Sequence, residues 1–229
     1  MGLPVPGEFY ERAPEVVAPE LLGKVLVSRV GRAEMAGRIV EVEAYLGPHN
    51  NPADPAAHSY RGPTPRNRVL FGPAGHAYVY AIYGRYFCFN VSCEREGLAG
   101  CLLVRALEPL AGLEAMARNR GVSLDTSAKS LRMLTSGPGR LCQALGLTRA
   151  AHDGLDLTDA SSRLAIVDDG FRVAETRVTV RIGINVAVDW PLRFCVAGSE
   201  FVSGPRRLNE LKRLSGARPY LTNRKSTGS

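Results

Sequence analysis

Residues 37–45, GRIVEVEAY, read as a strand whose apolar and polar side chains alternate strictly from Val40 onward. Side chains along a strand point to opposite faces in turn, so this alternation marks a half-buried β-strand. Val40, Val42 and Ala44 then suit a core, while Glu41, Glu43 and Tyr45 share the other face with Ile39. The 27 residues 47–73 are rich in Pro, Gly, Asn and Arg and have no hydrophobic period. Irregular stretches this long are uncommon in a compact domain and usually carry function where they occur. Two carboxylates and a phenol at a strand end facing such a loop form a candidate site. Carboxylates on the solvent face of an antiparallel sheet would give the same pattern, so alternation alone leaves both readings open.

The rest of the chain mixes helix and strand signals. Residues 14–22 read as a helix and 24–30 as a strand. HAYVYAIYGRYFCFNVSC reads as two strands, 76–82 and 86–92, joined by a tight turn over Tyr83, Gly84 and Arg85. Residues 100–107 form an apolar strand. Glu108-Pro109 opens a helix to Asn119, with Pro109 at the first helical position and Gly121 just past the end. A second helix is expected near 125–133, and Ser136-Gly137-Pro138-Gly139-Arg140 leads into a third that ends at Gly146. Strands follow at 163–168, 176–183 and 192–197. Without regular βαβ alternation, the pattern predicts one α+β domain over residues 1–203. Its sheet is largely antiparallel, with flanking helices and a protruding hairpin. Residues 204–229 are expected to be a basic tail, a short helix followed by disorder.

Composition narrows the function. The 229 residues, 45% hydrophobic and 22% charged, suit a soluble globular chain of one or at most two domains. No apolar run approaches the ~18 residues of a membrane span. The N-terminus has no basic region leading into an apolar run, so no secretory signal is expected. Five cysteines without a CxxC pair argue against a disulfide framework or cysteine zinc site and fit a reducing cytosol. The four histidines, at 49, 58, 76 and 152, form no HExxH, which disfavours a histidine metal site, and no cofactor is expected. The net charge of +7 is concentrated beyond Gly204, where seven basic residues meet the single acid Glu210. Such an arm adds salt-sensitive attraction to nucleic acid, or simply keeps a tail solvated.

Three further features could carry chemistry. Arg105 stands alone in the apolar run GCLLVRAL, on one face with Cys101 and Leu103. A buried guanidinium needs a carboxylate or bound ligand, and a structural ion pair would satisfy it as well as an active site. Tyr78, Tyr80, Tyr83, Tyr86, Phe87 and Phe89 line the hairpin, with Tyr83 at its tip beside Arg85. Tyrosine favours strands in any case, but an aromatic at an exposed tip suits stacking on nucleic-acid bases or wedging into a duplex. Ser136-Gly137-Pro138-Gly139-Arg140 places free N–H groups at a helix start, a ready phosphate site or a plain cap. Neither GxxxxGK[ST] nor GxGxxG occurs.

Together these residues carry a resemblance. EVEAYLGPHNNPADPAAHSYRGPTPRNRVLF, GHAYVYAIYGRYFCFNVS, LLVRALEPLAGLEAM, SGPGRLCQALGL and PLRFCVAGSEFVSG follow one another in order. With LLGKVLV upstream, they make the chain similar to the alkyladenine (3-methyladenine) DNA glycosylase family from about Phe9 to Ser203. The resemblance implies a single α+β domain without metal that excises damaged purines from DNA. It implies Glu43 as the base that activates water, Arg105 as a holder of that water, and the Ile182 carbonyl as a third contact. It implies Tyr45, His58 and Tyr80 as the pocket around the flipped base, with Asn90 crowding the guanine 2-amino group. Tyr83 then fills the duplex where the base has left. Arg85, Tyr86, Ser136, Gly137, Arg140 and Arg193 complete the expected phosphate and DNA contacts. The loop from His58 to Arg68 is one residue shorter than in animal members, which leaves Arg61 and Arg66 without an assigned role.

A purine glycosidic bond is hidden in duplex DNA, so the nucleotide must be extruded before it is cut. An alkylated or deaminated purine (3-methyladenine, 7-methylguanine, hypoxanthine, ethenoadenine) would leave as Glu43 deprotonates water. The four lysines, at 24, 129, 212 and 225, all lie outside the motifs, so no amine is placed for a lyase step. A monomer acting on double-stranded DNA, cytoplasmic and nucleoid-associated, with no membrane partner, is expected. Two other readings compete: a non-catalytic damage binder, and a glycoside hydrolase using Glu41 and Glu43. Residues two apart on a strand lie about 7 Å apart, within range of an inverting pair. That second reading needs both acids, whereas the glycosylase reading expects Glu41→Gln to be tolerated.

Overall fold

The computed structural model describes residues 2–31, 33–125 and 127–205. In chain order it comprises β1 (Leu3–Pro4), α1 (Gly7–Tyr10), α2 (Pro14–Leu21), β2 (Val25–Ser28) and β3 (Met35–Tyr45). A 3-10 turn (Arg68–Phe71) precedes β4 (Ala77–Ile82), β5 (Tyr86–Cys93) and β6 (Gly100–Ala111). Then come α3 (Leu113–Arg120), α4 (Ala128–Thr135), α5 (Pro138–Ala144), α6 (Arg149–His152), β7 (Leu164–Asp168), β8 (Thr176–Thr179) and β9 (Arg193–Val196). The strands form one antiparallel sheet in the order β1-β7-β2-β3-β6-β5-β4, with β9 pairing both β3 and β8. This is the α+β architecture that the sequence predicts. Of the tail expected over 204–229, residues 206–229 lie outside the described residues.

β3 is the spine. Its first half pairs with β2, residues 41–43 pair with β9, and β6 runs along the other edge from Ala36 to Tyr45. Ile39, Val42 and Ala44 join Leu102, Val104, Leu107, Phe89, Leu134 and Leu141 in the main core. Fully burying one such leucine stabilises the fold by roughly 1.5–3 kcal/mol. The register is irregular on both sides of Glu41, so the strict alternation read from the sequence breaks there. Ile39 therefore packs with Val42 and Ala44.

The helix predicted to open at Pro109 does not form there. β6 continues through Leu107, Glu108, Pro109 and Leu110 to Ala111, and Pro109 lies opposite Gly37. β5 pairs only with residues 100–103, so at Pro109 the strand has one paired edge and can spare an N–H. The helix starts after Gly112, whose φ of 73° is left-handed. A Cβ there would lie 2.6 Å from the Glu34 carbonyl, so the turn from strand to helix requires glycine. The strand predicted over 176–183 ends at Thr179, and α1, α6 and β1 were not legible from the sequence.

Candidate active site

Glu41 and Glu43 are both fully buried, not on a solvated sheet face. Glu43 Oε1 accepts the Ile182 N–H at 2.7 Å. Its Oε2 accepts the Tyr45 hydroxyl at 3.0 Å and Arg105 Nη1 at 3.2 Å. The same Nη1 stands 3.4 Å from the Ile182 carbonyl. Burial, then the Glu43 charge, pushes the Tyr45 phenol far above its usual range, so it stays a donor.

Glu41 has a different part. It accepts Arg105 Nε at 2.9 Å, Arg193 Nε at 2.7 Å, and the Ser203 N–H and hydroxyl at 2.6 and 3.0 Å. Burial alone would raise its pKa, but Arg105 and Arg193 outweigh that and hold it below the ordinary carboxylate range. Glu41 is thus an anchor that aims Arg105, which argues against a paired-carboxylate site built on Glu41 and Glu43.

A cavity of about 430 Å³ opens beside this cluster, lined by Tyr45, His58, Arg66, Tyr78, Tyr80, Tyr83, Cys88, Asn90, Arg105, Pro138, Ile182 and Ile184 among others. Glu43 lies just beneath the wall made by Tyr45, Arg105 and Ile182. The site residues come from distant parts of the chain because β3, β4, β5 and β6 are neighbours in the sheet. His58 Nδ1 lies 2.9 Å from the Tyr78 hydroxyl, and its ring centroid is 4.5 Å from that of Tyr80. Burial, with Arg66 nearby, lowers the His58 pKa, so the imidazole is neutral near pH 7. Burial raises the Tyr78 phenol to about 12 and pushes Tyr80 higher still. Asn90 donates to the Tyr78 carbonyl at 3.0 Å. Asn67 secures the loop by donating to the carbonyls of His58 and Gly62 at 2.8 and 3.1 Å.

Tyr83 stands at the tip of the β4–β5 hairpin, 91% exposed. Its φ is 49°, a left-handed conformation that costs a non-glycine residue about 1 kcal/mol or more. The Arg85 guanidinium sits 4.8 Å from the Tyr86 ring, and Tyr86 faces Gly139 at the start of α5. Arg140 is exposed close by in sequence.

Three expected phosphate contacts have other partners in the structure. Arg193 is fully buried, donating to Glu41, to Thr179 Oγ1 at 3.0 Å and to the Ser203 carbonyl at 3.2 Å. Ser136 closes α4, and its N–H goes to the Arg132 carbonyl. The Gly137 N–H goes to the Arg105 carbonyl at 3.0 Å. Helix geometry leaves the N–H groups of Gly139 and Arg140 as the free donors of that turn. Sequence reasoning missed the ion pair of Arg181 with Asp54 and the placing of Arg66, 5.7 Å from the Tyr80 ring. Arg181 carries no signal that sets it apart, since it follows Arg177 and Thr179 in the stretch TRVTVRIG. Asp54, inside the loop, carries none.

A larger cleft of about 670 Å³ lies between α4 and the β8–β9 pair and touches neither Glu43 nor Arg105. Among the described residues no cluster of His, Cys, Asp or Glu could hold a metal ion, and no helix is long and apolar enough to cross a membrane.

A buried carboxylate thus lies beneath an aromatic-lined cavity, beside a protruding tyrosine. The family model for methylpurine-DNA glycosylase matches residues 8–200. A protein of Koribacter versatilis is 57% identical over 205 residues, covering 90% of this chain and 95% of its own length. One from Burkholderia lata is 48% identical, covering 89% and 93%, and one from Methanoculleus marisnigri is 48% identical, covering 87% and 98%. Each carries the name "Putative 3-methyladenine DNA glycosylase". The chain belongs to the methylpurine-DNA glycosylase family.

Proposed function

We propose that this protein is a monofunctional DNA-repair glycosylase that extrudes alkylated or deaminated purines and hydrolyses their N-glycosidic bond, leaving an abasic site. The observation that carries the reading is the contact of Glu43 with three groups that line the cavity: Tyr45, Arg105 and Ile182. The Arg105–Ile182 carbonyl contact at 3.4 Å and the Arg105–Glu43 contact at 3.2 Å are longer than the contacts of Glu43 with Tyr45 and Ile182. They are the easiest to exchange for a water held by all three groups. Glu43 then takes the proton as the water attacks C1′, and its charge favours the oxocarbenium-like sugar.

Tyr45, His58 and Tyr80 receive the base, and Asn90 crowds an exocyclic amine at the purine 2-position. A neutral His58 is suited to hydrogen bonding a purine edge without adding charge. Tyr83 occupies the gap left in the duplex, consistent with its exposure and left-handed backbone. Arg85, Tyr86 and Arg140 meet the phosphates, and Arg66 over Tyr80 adds positive charge at the rim. Among the described residues no lysine lines the cavity, and Lys24 is tied to Asp168 at 2.6 Å. That supports simple hydrolysis over a lyase step.

The test is to incubate the protein with duplex DNA holding one hypoxanthine or 1,N6-ethenoadenine and to read strand breaks with and without alkali. Breaks that need alkali are expected. Breaks without alkali would contradict the monofunctional assignment, and binding without any break would favour a damage binder.

A further inference from the structure

Arg181 and Asp54 have fully buried side chains and meet as fork on carboxylate. Arg181 Nη2 donates to Oδ1 at 2.9 Å, and Nη1 donates both to Oδ2 and to the Ala44 carbonyl, the latter at 3.1 Å. Asp54 also accepts the backbone N–H of Leu46 at 3.2 Å and of Ala56 at 3.0 Å. The guanidinium stands 4.6 Å from the Tyr45 ring centroid and 6.0 Å from that of Trp190. Tyr45 lines the cavity and Arg181 does not, so the guanidinium backs the ring from a side turned away from the cavity.

One ion pair therefore holds three parts of the pocket. Ala44 and Leu46 flank Tyr45 at the end of β3. Asp54 and Ala56 belong to the loop that carries His58. Arg181 directly precedes Ile182, whose N–H and carbonyl face Glu43 and Arg105. A buried pair adds little net stability over a packed apolar pair, but a bidentate fork fixes orientation. We infer that Arg181 and Asp54 are a positioning pair for base excision. They set Tyr45, the His58 loop and the Ile182 segment against one another before a base enters. This inference rests on the glycosylase reading above.

The test uses single-turnover cleavage of a hypoxanthine duplex with active enzyme in saturating excess, where the rate constant does not depend on the folded fraction. Arg181→Lys keeps the charge but loses the planar fork, and the double variant Asp54→Asn/Arg181→Gln removes the pair without stranding a charge. Both are expected to lower the rate constant about tenfold to a hundredfold. Affinity for a duplex with an abasic-site analogue, which leaves the base pocket empty, should stay within about twofold of the native value. An unchanged rate constant, or equal losses in rate and abasic-site affinity, would overturn the positioning role.

Native protein gives a second reading that needs no variant. If one pair locks the walls, the amides of Leu46 and Ala56 should exchange hydrogen within about tenfold of each other. An Ala56 amide exchanging about a thousandfold faster would also overturn the inference. Native protein that cleaves no damaged duplex removes the glycosylase reading itself, whereas native cleavage with unaltered variants removes only the positioning pair.

Discussion

Arg105 donates its Nε to Glu41 at 2.9 Å and so turns its Nη1 toward Glu43. The first carboxylate thus aims the cation that serves the second. Replacing Glu41 by Gln leaves Arg105 and Arg193 with one buried counter-charge fewer. Breaking a buried pair in this way costs about 3–5 kcal/mol. Glu41→Gln should lower the thermal midpoint by roughly 6–20 °C and slow excision as Arg105 loses its orientation. Thermal melts followed by single-turnover cleavage check both, and full stability with native excision would return Glu41 to the idle role expected from sequence.

Tyr83 gives the opposite balance of stability and activity. Its side chain is 91% exposed and its φ is 49°. Tyr83→Gly relieves the left-handed strain, so stability should hold or rise slightly, by about 1 kcal/mol at most. Affinity for damaged duplex should fall about tenfold or more, since stacking of one aromatic on a base contributes roughly 1–3 kcal/mol. Binding titrations beside melts separate the two effects.

The arginines divide into two groups that salt dependence can tell apart. Arg85→Ala and Arg140→Ala should each reduce the slope of log affinity against log salt by about 1 while leaving the melt unchanged. Arg193→Ala should leave that slope alone and destabilise the fold, because its guanidinium is enclosed with Glu41 and Thr179. A changed salt slope in Arg193→Ala with an unaltered melt would contradict its burial.

Acid stability follows from two carboxyls. Glu41 is held below its ordinary range: burial raises its pKa, but Arg105 and Arg193 more than offset this. Asp168 is lowered to about 2, first by its hydrogen bond from Lys24 and then by the Gly170 N–H. A carboxyl whose folded pKa is depressed stabilises the fold above its unfolded pKa of about 4 and loses that contribution as pH falls through the folded value. Stability from these groups should therefore be flat down to about pH 5 and fall between about pH 4 and 2. Urea titrations across that range should reproduce the fall, with Glu41→Gln losing part of the pH dependence.

Much of the site was legible because strand alternation and apolar context are local signals. Glu43, Tyr45 and Arg105 stand out in the sequence, and β3 beside β6 brings them together. The Pro109 helix start was misread because whether a strand edge is paired at that point depends on β5, a non-local fact. Arg193 entered as a phosphate contact through the resemblance, and its short apolar strand does not reveal which face is covered. Its partner Glu41 lies 152 positions away. Arg181 lay beyond the end of β8, where alternation no longer applies, and Asp54 sat in a stretch with no periodicity at all.

The most direct measurement compares native protein and Glu43→Gln on one damaged duplex, with binding and single-turnover cleavage read from the same preparations. The amide keeps an acceptor for the Ile182 N–H but cannot take a proton from water. The account predicts native-like affinity with cleavage reduced about a thousandfold or more. Cleavage by Glu43→Gln at the native rate would contradict Glu43 as the base that activates water.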